Sequence, residues 1–390
     1  MKKKLTFIFE YKYNKTYHSK YEIEYLKKFY EITIFDLSNI FSTHLKKKTK
    51  RKTRGAKIFI IKKIFDFENQ LRKNSPDYTI LNGVKSFNFK ISKILRKLTK
   101  TSIVELYNSE LPIYIPKLRN ISIKKIIMSK YFFIFFPHII LSIFRRIISY
   151  PSKARKQDYI VDYLFYAGSE TLNTLKLPSK NYIKKISSPA LDYNLHLRED
   201  NKKRIIKKKY VVFLDSMLFH HDDQNIKFFK RDVSLKYFEE INKFFYILEK
   251  KLNLKVIIAM HPSCNIKNYS KFFENRTCLK NQSINLVKYS ELVLLHPSST
   301  SINFPVIYNK PMLFLTTEEL NKSFRHYVAH QIQKMIFRQN ILNISSVSEN
   351  IIFPKFKIDK KAFKWYYKGL INSSKISNKS LNNFIEEELK

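Results

Sequence analysis

The chain reads as an α/β protein: two parallel-sheet domains of the nucleotide-binding type facing a cleft, with a helical, basic and aromatic insertion in the first. Three observations predict this. Short runs rich in Ile, Val, Phe and Tyr alternate with amphipathic stretches, the βαβ rhythm of a parallel sheet. A length of 390 residues exceeds one comfortable core and suits two domains of roughly 150 to 190 residues each. A basic linker, Lys202-Lys203-Arg204-Ile205-Ile206-Lys207-Lys208-Lys209, separates an irregular half from a cleaner one.

The elements follow in order. Met1-Lys2-Lys3-Lys4 precedes Leu5 to Phe9, but Glu10 ends that apolar run well short of a signal-peptide core, so it reads as the first strand. Thr6 to Tyr11, Glu31 to Leu37, Ala56 to Lys62, Asp77 to Leu81, Ser102 to Tyr107 and Tyr159 to Tyr166 are strand-like, while Tyr17 to Tyr30 and Phe65 to Lys73 are amphipathic. The insertion, 121–150, contains an apolar run of 14 residues, Tyr131 to Phe144, bracketed by Lys124, Lys125, Lys130, Arg145 and Arg146. A bilayer span needs about 20 apolar residues, and Pro137 and His138 interrupt this run, so it reads as an interfacial helix with basic ends or a buried hairpin. The first domain is placed at 1–201 and the second at 202–350. In the second, strand Tyr210 to Asp215, helix Val233 to Lys251, strand Lys255 to Met260 and helix Asn268 to Glu274 come first. Strand 292–295, helix 301–308, strand 312–316 and helix Arg325 to Arg338 complete it. Residues 351–390 carry helical spacing at Lys360 to Leu370 and Ser380 to Lys390, and a terminal helix here is expected to pack back on the first domain.

The formal charge is +42, with abundant Lys, Ile, Asn, Phe and Tyr and only 4 Gly, which partly reflects an AT-rich codon bias. Even discounted, such a surface attracts polyanions, lipid headgroups or phosphorylated substrates. The densest run, Lys46 to Arg54, contains no aromatic residue for base stacking, which favours a solvated loop or headgroup contact over nucleic acid. Cys264 and Cys278 lie at neither disulfide-framework nor zinc spacing, so a reducing cytoplasm and no structural metal are expected.

The chemistry concentrates at strand ends. Leu292 to Leu315 reads as buried strand, hydroxyl-rich loop, short helix, Lys-Pro turn and second buried strand. Its loop, His296 to Ser301, would aim the hydroxyls of Ser298, Ser299, Thr300 and Ser301 and free amides at a phosphate; the alternative is an ordinary Ser/Thr cap. His261-Pro262 follows one apolar strand as His296-Pro297 follows another. A Pro stops the strand and fixes the turn, and a His of near-neutral pKa can donate to a phosphate oxygen. Asp215, then His220-His221-Asp222-Asp223, follows the first strand of the second domain, where a carboxylate can deprotonate a sugar hydroxyl. Glu318 stands where an acid can meet a ribose or sugar hydroxyl, or stabilise a helix start. On the acceptor side, Gly168 and Ser169 end a strand in a small turn.

Strand-His-Pro, strand with a Ser-Ser/Ser-Thr loop, then Asn-Lys-Pro and a strand, over roughly residues 210–320, resembles bacterial glycosyltransferases of the two-Rossmann GT-B architecture, sialyltransferase-like enzymes among them. In those enzymes an acidic motif supplies the base, while a His-Pro and a Ser-Ser/Ser-Thr motif contact phosphate. His261-Pro262 and Ser298-Ser299-Thr300 match the latter two. The acidic motif departs: Asp222-Asp223-Gln224 stands where two acids and a glycine are expected, and Asp215 competes. The resemblance implies an inverting, metal-independent glycosyltransferase without cofactor. The donor would be a CMP-sugar such as CMP-sialic acid, with UDP- and GDP-sugars open. The acceptor would be a bacterial surface or lipid-linked glycan, worked on by a peripheral protein at the anionic inner face of the cytoplasmic membrane. A nucleotide-sugar 2-epimerase and a non-catalytic, membrane-associated polyanion binder are the alternatives.

Overall fold

The computed structural model describes residues 2–41, 56–82, 85–107, 124, 132–137, 140, 160–174, 182–218, 233–262, 264–297, 299–353, 356–374 and 378–390. Contacts divide the chain into two units. One comprises Met1–Ser109, Tyr150–Asn194 and Asn372–Lys390, the other Glu110–Ser149 and Leu195–Ile371. The crossing at Asn194 precedes the basic linker, because Leu191–Glu199 is a helix that starts in one unit and ends in the other.

The first unit is built on seven parallel strands: β1 (Lys3–Phe9), β2 (Tyr30–Asp36), β3 (Lys57–Ile60), β4 (Tyr78–Asn82), β5 (Ser102–Tyr107), β6 (Val161–Tyr166) and β7 (Tyr182–Ser187). They lie in the order β3-β2-β1-β4-β5-β6-β7. β1 is buried from Leu5 onward on both faces, as a central parallel strand must be when both faces are covered. Leu5, Phe7 and Phe9 join one core with Tyr21, Ile23 and Leu26; Ile8 joins the other, with Phe87, Ile91 and Leu95 of the helix Lys85–Leu98. The C-terminal helix Leu381–Leu389 adds Leu381, Ile385 and Leu389, one turn apart, to the first core. Ser380 and Asn383 close a capping box at its start, and the Leu381 amide donates to Asn194 Oδ1 at 2.8 Å. Deleting residues 381–390 should therefore cost several kcal/mol, at about 1.5–3 kcal/mol per large apolar side chain lost, read as a lower urea midpoint.

The second unit repeats the plan with six parallel strands: β8 (Tyr210–Leu214), β9 (Lys255–Met260), β10 (Cys278–Lys280), β11 (Leu292–Leu295), β12 (Met312–Thr316) and β13 (Leu342–Asn343). Their order, β10-β9-β8-β11-β12-β13, is the 3-2-1-4-5-6 order of a Rossmann sheet. The fold class is thus α/β with two Rossmann-like domains. The helix Lys236–Leu252 covers one face through Tyr237, Phe238, Ile241, Phe244, Phe245 and Leu248, a 3.6-period stripe, and ends at Asn253 in the left-handed region.

The sequence places 121–150 as an insertion in the first domain, but its described residues pack with the second unit. Residues 132–137 are helical, and Phe135 is buried against Val328, Ala329 and Ile332 of the helix Phe324–Phe337. Among the described residues no helix is long and apolar enough to cross a membrane. Residues other than glycine hold positive φ at eight described positions: Glu22, Met217, Asn253, Glu274, Asn275, Asn281, Asn309 and Arg338.

Candidate functional site

In a sheet of this order, ligands bind outside the carboxyl ends of the strands where the strand order reverses, here between β8 and β11. β8 delivers Asp215 to that edge. Its amide donates to Ala259 O of β9 at 3.1 Å, and one carboxylate oxygen accepts the Met217 amide at 3.0 Å. This Asx turn brings Met217 to φ 53. Asp215 is buried, and that burial pushes its carboxyl up to about 6, against the opposing pull of the Met217 and His261 amides and the nearby Tyr269 hydroxyl. The carboxyl group thus titrates close to neutrality, as an acid–base group requires.

β9 delivers His261, half-buried, to the neighbouring strand end, followed by the exposed Pro262. The Cys264 amide closes the turn on His261 O at 3.0 Å, and Lys280 Nζ, at the end of β10, donates to Cys264 O at 2.7 Å. Asp215 and His261 therefore stand on adjacent strand ends, with Tyr269 beside the carboxylate.

β11 delivers the second His-Pro, in a different role. His296 is wholly buried; Nδ1 lies 3.0 Å from Leu315 O and Nε2 2.7 Å from the Tyr237 hydroxyl. A carbonyl only accepts, so Nδ1 carries the hydrogen and Nε2 receives the phenol's. Burial, then the neighbouring His326, hold its pKa down to about 3. His296 is thereby held within the core: both nitrogens are engaged and the ring stays neutral.

The loop beyond it is held from two sides. Gln333 Nε2 donates to Pro297 O at 3.2 Å. Ser299 is an N-cap, accepting the Ser301 amide at 3.2 Å, and the two hydroxyls meet at 2.7 Å. The cap reading of these serines is therefore occupied in this structure, and Thr300, half-buried, lies between them. Ser298 and Asp222 lie outside the described residues.

Two further candidates belong to other elements. Glu318 accepts from Asn343 Nδ2 at 2.7 Å while its amide donates to Ser345 Oγ at 3.0 Å, so it ties β12 to the outer strand β13. In the first unit Gly168, buried, follows β6, and Thr171 Oγ1 donates to Gly168 O; Ser169 opens the short 3-10 turn that follows. Sequence reading missed Tyr237, Tyr269, Lys280 and Gln333. Tyr237 and Gln333 lie on buried helix stripes, where their residue types read as core or filler. Among the described residues no group of His, Cys, Asp or Glu is arranged to hold a metal ion.

No family model matches the chain, and no curated protein does either. Solved structures do match it over most of its length. A UDP-GlcNAc 2-epimerase from Methanocaldococcus jannaschii is 14% identical, covering 92% of this chain and 95% of that one, with a TM-score of 0.46. A putative UDP-N-acetylglucosamine 2-epimerase from Listeria monocytogenes is 9% identical over 99% and 95%, with a TM-score of 0.49. MurG of Acinetobacter baumannii is 8% identical over 89% and 88%, with a TM-score of 0.46.

Proposed function

We propose that the chain is a glycosyltransferase of the GT-B plan, moving a sugar from a nucleotide-sugar donor to a surface or lipid-linked glycan at the inner face of the bacterial cytoplasmic membrane. The observation that carries this reading is the pairing of Asp215 with His261 on adjacent strand ends beside the β8/β11 switch point, with the carboxyl raised to about 6. A perturbed carboxyl at a ligand edge is a candidate catalytic group. The Asp215 carboxylate takes the proton from the acceptor hydroxyl as its oxygen bonds to the anomeric carbon. The bond to the donor phosphate breaks on the opposite side, so the configuration inverts. His261 and the loop 298–301 meet the charge that the leaving nucleotide gains. Asp222 is the competing base. A CMP-sugar such as CMP-sialic acid is the favoured donor, followed by a UDP-sugar, and the chemistry needs no metal.

The test is a thermal-shift panel of CMP, UDP, GDP and ADP, with Mg²⁺ or EDTA, on wild type, His261→Ala and Ser299→Ala. One nucleotide at 100 times its Kd should stabilise the wild type by about 2.7 kcal/mol, unaffected by EDTA and weakened in both variants. No shift with any nucleotide in folded protein would sink the glycosyltransferase reading. A nucleotide sugar turned over without acceptor would point to the epimerase alternative.

A further inference from the structure

We infer that the exposed aromatic face of residues 132–137, with Ile140, is a docking surface for an anionic lipid bilayer. This deepens the reading above by assigning the surface that meets the membrane, and rests on that reading only for the choice of lipid as partner.

The segment has an inner and an outer side. Phe135 is fully buried, its ring centroid 5.7 Å from Phe324 and 5.4 Å from Tyr327. Its neighbours point the other way: Phe133 is 85% exposed, Ile134 46%, Phe136 48% and Ile140 36%. Four large apolar side chains open to water in so short a stretch forgo the transfer free energy that drives burial, roughly 25 cal/mol per Å². Large apolar side chains exposed this close together mark an interaction site. Phe135 acts as a pin, fixing the element to a rigid helix so that its outer side chains are presented without first having to be ordered.

Charge selects the partner. The helix that receives Phe135 carries Arg325 and Lys334, with Arg338 just after it and Lys322 just before it, all exposed, and Lys124 is exposed upstream. In the sequence Lys125, Lys130, Arg145 and Arg146 bracket the same run. An apolar patch pinned to a helix with exposed cations complements an interface of acyl chains below anionic headgroups. A second copy would bring a like-charged surface against it, in a protein with a formal charge of +42.

The full chain should co-sediment with vesicles of phosphatidylglycerol mixed equally with phosphatidylcholine, bind phosphatidylcholine alone weakly, and release on raising salt. The double variant Phe133→Glu with Phe136→Glu should lower binding to the anionic vesicles by about tenfold or more, with an unchanged melting temperature and an unchanged nucleotide-induced shift. Wild-type-like vesicle binding by this variant would overturn the inference, because dispersed charge would then suffice. So would no vesicle binding by the wild type, or a concentration-dependent dimer that the variant abolishes. A nucleotide shift without vesicle binding fails this inference alone; vesicle binding without any nucleotide shift fails the glycosyltransferase reading alone.

Discussion

Replacing Asp215 with Asn should lower turnover in the proposed transfer reaction by about 10²–10⁴-fold, the usual contribution of a positioned general base, while making the protein more stable at pH 7. Burial pushes the folded-state carboxyl up to about 6 from 3.8, so between about pH 4 and 6 the folded state holds a proton that the unfolded chain releases. Stability from this group is full below pH 4 and falls as pH rises to 6; by pH 7 the buried charge costs about 3 kcal/mol at 1.36 kcal/mol per pKa unit. Asn keeps an acceptor for the Met217 amide and carries no charge. The double readout is a urea titration at pH 7 beside a pH–rate profile, in which wild-type activity should fall as pH drops through about 6. A fully active Asp215→Asn with a dead Asp222→Asn would transfer the base to Asp222.

His296→Ala should destabilise the protein by about 2–4 kcal/mol, because it strands the Tyr237 hydroxyl and Leu315 carbonyl in a dry site. Its nucleotide affinity at a temperature where the variant stays folded should remain near that of wild type, unlike His261→Ala. The same histidine sets an acid limit. Its folded-state pKa is held down to about 3 by burial, so below pH 6.5 the unfolded chain gains a proton that the folded state refuses. Stability then falls by about 1.4 kcal/mol per pH unit until about pH 3. His330, held well below its ordinary value by burial and by His326 and His296, adds a loss of the same sign. Asp215 works in the opposite sense between pH 6 and 4, offsetting one histidine. Calorimetry from pH 7.5 to 4.5 should show a falling melting temperature in the wild type and a shallower slope in a folded His296→Gln.

Much of this architecture was legible in the chain. Lys255–Met260, Leu292–Leu295 and Met312–Thr316 are apolar runs bounded by polar or turn residues, and each is a strand with the bounds read from sequence. β7 escaped because three of its six residues face water, as an edge strand permits, and its Lys184-Lys185 hides the strand period. β10 and β13 are too short to show a period at all. The helix Lys85–Leu98 carries Phe87, Ile91 and Leu95 at helical spacing, a signal that was present but overlooked. At the site, His261-Pro262 and His296-Pro297 look alike in sequence, each behind an apolar strand. What separates them is tertiary: a tyrosine from one helix and a carbonyl from β12 enclose His296. The position of Asp215 at the end of a strand was legible, but its raised pKa was not, since burial beside tyrosines distant in sequence has no local signature.

The eight described left-handed positions built without glycine carry a further consequence. Each asks a side chain to tolerate a backbone conformation that costs about 1–2 kcal/mol more for a Cβ-bearing residue than for glycine. Asn253, Asn275, Asn281 and Asn309 soften that cost, because asparagine is among the residues that visit this region most readily. Asparagine codons are AT-rich and glycine codons GC-rich, so the base composition of a genome can register as backbone strain. Turn positions such as Glu22 and Arg338 are accordingly places where glycine should relieve strain, and Glu22→Gly or Arg338→Gly should raise the melting temperature.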